Sequence, residues 1–197
     1  MALQMGRRGV RQVRETAGLI MLANIRLQWT ALRAAAEPER RSANEEARMA
    51  DGKDPYELSR FVQAQAEDYE QALSEIRAGR KRSHWMWYIF PQFDGLGFSS
   101  TARRYAIKSI AEVEAYLRHP VLGPRLVECC EAVVGVNGRS AYDIFGSPDD
   151  MKLRSCATLF ERVSAPGSVF ERLLGKYFEG VPDERTLFLA GVTPEAR

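Results

Sequence analysis

Arg80–Gly97 reads R-K-R-S-H-W-M-W-Y-I-F-P-Q-F-D-G-L-G and concentrates chemistry that the rest of the chain lacks. One of two histidines and two of three tryptophans fall within it, behind a cationic triplet. Arg80 and Arg82 suit a phosphate, and Trp85 or Trp87 offers a ring for stacking. His84 could move a proton. Gln92 supplies a polar amide, and Gly95-Leu96-Gly97 lets backbone N–H groups approach a ligand closely. Cations, an aromatic wall and exposed amides together suit a phosphate-bearing aromatic molecule such as a nucleotide. A plainer reading stands beside this one. Residues apolar on every side of a helix build a core, and Arg80–Arg82 then decorate the solvated end of the preceding helix.

Asp149–Thr158, D-D-M-K-L-R-S-C-A-T, is the second candidate. Asp149 could act as a base, with Lys152 and Arg154 adding positive charge for phosphate. The same aspartates also favour a helix N-terminus, and Asp150 stands four residues before Arg154, a good ion-pair spacing. Lys152-x-x-Ser155 could mimic a phosphate site, but its order is the reverse of the Ser-x-x-Lys nucleophile motif.

Other chemistries find no support. No G-x-x-x-x-G-K-[ST] loop occurs, and Gly95-x-Gly97 lacks the third glycine and preceding strand of a dinucleotide fingerprint. His84 and His119 are thirty-five residues apart without ligands at metal spacing, so no metal or other cofactor is expected. Cys129, Cys130 and Cys156 form no C-x-x-C pair and have no adjacent cation to activate them. They read as reduced thiols of a cytoplasmic protein. An enzyme built from this inventory would hydrolyse N-glycosidic or phosphoester bonds.

These residues need a scaffold, and the pattern predicts an all-α one. Asp54, Pro55 and Glu57 open a helix whose stripe Leu58, Phe61, Val62, Gln65, Tyr69, Ala72, Leu73 and Ile76 runs until Gly79. Trp85–Phe90 is ambiguous between strand and helix. It reads as a short buried helix capped by Ser83 and stopped at Pro91. Ser109 with Glu112 opens a helix to Arg118, and His119-Pro120 forms a junction before a helix over Val121–Val134. Ser140 with Asp143 caps a short turn through Phe145. Ser147–Asp150 starts a helix that buries Leu153, Cys156, Ala157, Phe160 and Val163. Ser168–Phe178 and Asp183–Ala190 complete a single compact multihelical domain over 51–197 with little or no β-sheet.

Residues 1–50 differ. They carry nine arginines against five acids, whereas the remainder carries nineteen basic and twenty-one acidic residues. Three readings of this extension stay open: an arm or over-extended start, an ordered helical extension, or a targeting segment. The near-neutral body gives no reason to expect specific nucleic-acid binding. Ala17–Ala23, broken by Asn24 and Arg26, is too short to span a membrane.

The run from Gly79 to Gly97 closely resembles the domain-of-unknown-function 1810 family, as do A-Y-L-R-H-P-V-L-G-P-R-L at Ala115–Leu126 and I-F-G-S-P-D-D-M-K-L-R-S-C-A-T-L-F at Ile144–Phe160. The resemblance extends from about Asp54 to Gly191 and implies a compact all-helical fold, with no established activity. Cys156 stands where serine is more usual, which argues against a hydroxyl nucleophile there. The label calpastatin, sometimes given to members, suits a flexible polar chain rather than this patterned core. A fainter likeness is to NADAR domains, helical enzymes associated with cleaving N-glycosidic bonds in ADP-ribose-type compounds. It rests on Phe61–Gln65, His119–Leu126 and a closing Gly-Asp-Lys-Leu-type stretch, and it carries no catalytic residue across.

Two functions therefore compete: a pocket that binds, and in the enzyme case hydrolyses, a small phosphorylated or nucleotide-like ligand, and a non-catalytic interaction module without such a pocket. Convergence of His84, Gln92 and Lys152 on one cleft would favour the first.

Overall fold

The structure, a computed structural model, describes residues 54–192. The expectations for residues 1–50 lie outside the described residues. Nine helices carry the described fold: α1 Ser59–Arg77, α2 Met86–Ile89, α3 Ser100–Arg104, α4 Ile110–Arg118, α5 Leu122–Gly135, α6 Ala141–Phe145, α7 Asp149–Glu161, α8 Val169–Phe178 and α9 Glu184–Leu189. Among the described residues the only β feature is an isolated parallel bridge between Phe93 and Ile107. Their fold is all-α.

Local chemistry explains most boundaries. Asp54 does cap α1, but from a turn further upstream: its two carboxylate oxygens accept from Leu58 and Ser59 N–H, both at 2.8 Å. Glu57 sits at a positive φ of 52°, so the expected capping box does not form. At the other end Gly79 turns left-handed, Arg80 N–H bonds to Glu75 C=O and Gly79 N–H to Ile76 C=O. That pair of bonds closes the helix on itself and satisfies its last carbonyls. Ser109, Ser140 and Ser168 cap α4, α6 and α8 as the spacing predicts, and Asp143 completes the Ser140 capping box. His119 helps open α5, because its Nδ1 accepts from Val121 and Leu122 N–H at 3.2 and 3.3 Å. Helix α3, capped by Ser99, has too little apolar content for periodicity to reveal it.

Helix α7 is the axis of the domain. Leu153 and every residue from Ser155 to Phe160 are buried, a far wider face than the expected stripe, whereas Val163 lies beyond the helix and is only half-buried. A helix buried nearly all round needs neighbours on each side. Helices α6, α8 and α9 pack directly against it, while α1, α4 and α8 gather around α5. A chain of rings, Phe61–Tyr116–Phe160–Phe170, runs through the core with centroids 5.1 to 5.6 Å apart. Gly123 allows α5 to approach the end of α4, since a Cβ there would fall 2.0 Å from the Leu117 carbonyl oxygen.

Candidate functional site

The loop after α1 is organised by one buried carboxylate. Glu75, in the last turn of α1, accepts from the N–H groups of Arg82 (2.7 Å) and Ser83 (3.1 Å), and from the Ser83 hydroxyl at 2.8 Å. The Trp85 indole N–H (2.9 Å) and Gln71 amide (3.0 Å) complete its shell. Burial alone would raise its pKa, but these donors outweigh it and bring the carboxyl down to about 2. Ser83 therefore serves Glu75 and caps no helix, and α2 begins without a side-chain cap.

Because the loop is pinned at Arg82 and Ser83, the basic triplet alternates. Arg80 and Arg82 point to solvent, whereas Lys81 turns inward. Its N–H bonds to Ile144 C=O at 2.7 Å, and its ammonium meets Asp149 at 2.7 Å, over the Trp85 ring. Asp149 also pairs with Lys152 at 2.6 Å. Burial would raise the pKa of Asp149, but hydrogen bonds from Lys152 and Lys81 more than offset this and hold it below the ordinary range. A carboxylate clamped between two ammonium groups is a poor proton acceptor. Asp149 acts as a structural counter-ion.

Beyond Pro91 the chain bridges to Ile107, then turns at Gly95, whose φ is +88°. Gly97 packs so tightly that a Cβ would lie 2.6 Å from that of Ala102. This turn thrusts Phe98 outward, 75% exposed. Opposite it, α7 presents Met151, Lys152 and Ser155, and the start of α9 presents Asp183 at its N-cap and Arg185 in its first turn. Between the two sides lies a cleft of about 410 Å³. Trp87, Gln92, Leu96 and Gly97 line the first wall, and Phe98 and Met151 form an apolar lip.

Five residues singled out from sequence thus meet in one place: Trp87, Gln92, Gly97, Lys152 and Ser155. Gly95 lies just beneath, in a small void shared with Trp87 and Gln92. The others are elsewhere. Trp85 is 1% exposed, packed against Phe90 and Phe145, and out of a ligand's reach. His84 is exposed and its ring makes no hydrogen bond among the described residues, while Arg80 and Arg82 face solvent. Arg154 does not pair with Asp150. It donates instead to the carbonyls of Val181 (3.0 Å) and Pro182 (3.2 Å), fixing the turn that delivers Asp183. Asp150 keeps one buried carboxylate oxygen with no hydrogen-bond partner among the described residues, close to the positive end of the α7 dipole.

Sequence reasoning passed over Phe98, Asp183 and Arg185. Asp183 reads as an ordinary helix N-cap, yet its carboxylate makes no cap bond and instead accepts from the Ser155 hydroxyl (2.8 Å) and the Thr186 hydroxyl. The signal was present in Pro182-Asp183, but a capping aspartate looks already explained.

The model of the family described as protein of unknown function (DUF1810) matches residues 55–189. The crystal structure of the conserved hypothetical protein Rv1873 from Mycobacterium tuberculosis is similar, with 54% sequence identity and a TM-score of 0.69. That similarity covers 71% of this chain and all of the other. No curated protein matches the chain.

Proposed function

The chain belongs to the DUF1810 family, and from the geometry of its cleft we propose that it binds a small ligand bearing both an aromatic ring and a phosphate, of the nucleotide or ADP-ribose-like kind. The observation that carries this reading is the placement of Lys152 and Arg185 in one cleft with Trp87, Gln92 and the exposed ring of Phe98. Lys152 stands 4.5 Å from the Trp87 ring centroid and so covers one face of it. Phe98 is the freer surface for stacking. With Asp149 shared between Lys81 and Lys152, the group of three retains positive charge toward the cleft, and among the described residues Arg185 is tied only by a long contact to Gly95 C=O at 3.5 Å. A volume of this order suits a ligand of nucleotide size.

Turnover, where it occurs, is hydrolysis of a glycosidic or phosphoester bond. Three free, buried thiols suit a reducing cytoplasm. Among the described residues no helix is long and apolar enough to cross a membrane.

The test is calorimetric titration with AMP, ADP-ribose and ribose 5-phosphate, paired with thermal shift. Binding should weaken at least ten-fold in Lys152→Ala and in Arg185→Ala, and several-fold in Phe98→Ala. Arg82→Ala should bind as wild type. No heat and no shift at millimolar ligand would sink the reading in favour of a non-catalytic interaction module, which the exposed Phe98 and Met151 would then serve.

A further inference from the structure

The cleft contains one carboxylate whose acceptor capacity is only half used. Asp183 Oδ2 takes two hydroxyl donors, Ser155 Oγ at 2.8 Å and Thr186 Oγ1. Its Oδ1 has no hydrogen-bond partner among the described residues, and Asp183 is only half-buried and lines the cleft. No ion pair involves Asp183 among the described residues, although Lys152 and Arg185 line the same cleft. The residue is also held firmly. Its N–H donates to Thr158 Oγ1 at 2.8 Å, and Arg154 clamps the two preceding carbonyls. A positioned carboxylate oxygen that is open to a cleft but unclaimed by its cations repels phosphate and favours neutral hydroxyl donors.

We infer that Asp183 reads the sugar of the ligand: Oδ1 accepts from ribose hydroxyls, so the cleft selects ribonucleotide-type over deoxyribose-type compounds. This rests on the nucleotide reading of the cleft and names the part of the ligand that reading leaves open. The cations take the phosphate, Phe98 takes the ring, and the carboxylate takes the group between them. Acidic side chains recognise ribose diols in this way because both hydroxyls can donate to them.

Titration of AMP against 2′,3′-dideoxy-AMP tests it on the wild-type protein and on Asp183→Asn. The substitution preserves an oxygen for Ser155 and Thr186 but turns an NH₂ toward the cleft. The wild type should bind AMP about ten-fold more tightly than the dideoxy compound, and Asp183→Asn should abolish that gap while binding dideoxy-AMP at least as tightly as the wild type does. Equal wild-type affinities would overturn the inference while leaving the nucleotide site standing. A gap that persists in Asp183→Asn would overturn it as well, because the hydroxyls would then be read elsewhere. If neither compound binds, the underlying reading fails and takes this one with it.

Discussion

Glu75 shows how much one side chain can organise. All five groups around its carboxylate are donors, and no cation is among them. Glu75→Gln would set an NH₂ against N–H groups, so the substitution should cost about 3 kcal/mol despite equal shape. The pH dependence has a definite sign. The folded carboxyl titrates at about 2 against an ordinary 4.5, so its contribution is complete above about pH 5 and is lost as pH falls from there toward 2. Urea midpoints of wild type and Glu75→Gln should therefore differ most at neutral pH and converge in acid. A gap that widens in acid would contradict the assignment. The Asp183 carboxylate is likewise held by donors, but only on one oxygen among the described residues.

At the scale of elements, two glycines in α5 make opposite forecasts. Gly123→Ala would drive a Cβ to within 2.0 Å of the Leu117 carbonyl oxygen, and backbone on both sides resists moving. Several kcal/mol of destabilisation is expected, of the order seen for overpacking. Gly135→Ala meets nothing within 4 Å and should stabilise the protein by about 0.5 kcal/mol through helix propensity. Thermal melts of the two variants decide this: similar shifts in both would mean that the α4–α5 contact is looser than described. Helix boundaries were mostly legible in sequence because serine and aspartate caps and glycine stops act within one turn. Glu57 at positive φ and uncapped α2 were not, since the first depends on the Asp54 turn and the second on Glu75 capturing Ser83.

For the whole molecule, the buried thiols report global unfolding. Cys129, Cys130 and Cys156 lie in the core, and burial pushes the pKa of Cys129 up to about 12 and that of the other two well above the ordinary value. An aromatic disulfide reagent at pH 8 should react negligibly with the native protein and with all three thiols in denaturant, at a rate set by opening. Fast reaction of any one thiol in native buffer would mean that the core around α5 and α7 opens locally. The same packing decides what the cleft contains. It joins α2 and the loop around residue 97, one turn of α7 and the start of α9, so its members are separated by as much as 98 residues, from Trp87 to Arg185.

By itself the sequence determined the helical architecture, because caps, breakers and apolar spacing operate over three or four residues. Its candidate residues, chosen by chemistry alone, fall partly in the cleft (Trp87, Gln92, Gly97, Lys152) and partly outside it (Arg80, Arg82, His84, Trp85). Only the tertiary structure decided which charges are spent. Lys81 and Asp149 neutralise each other, Arg154 clamps a turn, and Asp183 and Arg185 reach the cleft. The physical reason is that an ionic side chain takes whichever partner folding brings near, and such partners lie tens of residues away along the chain.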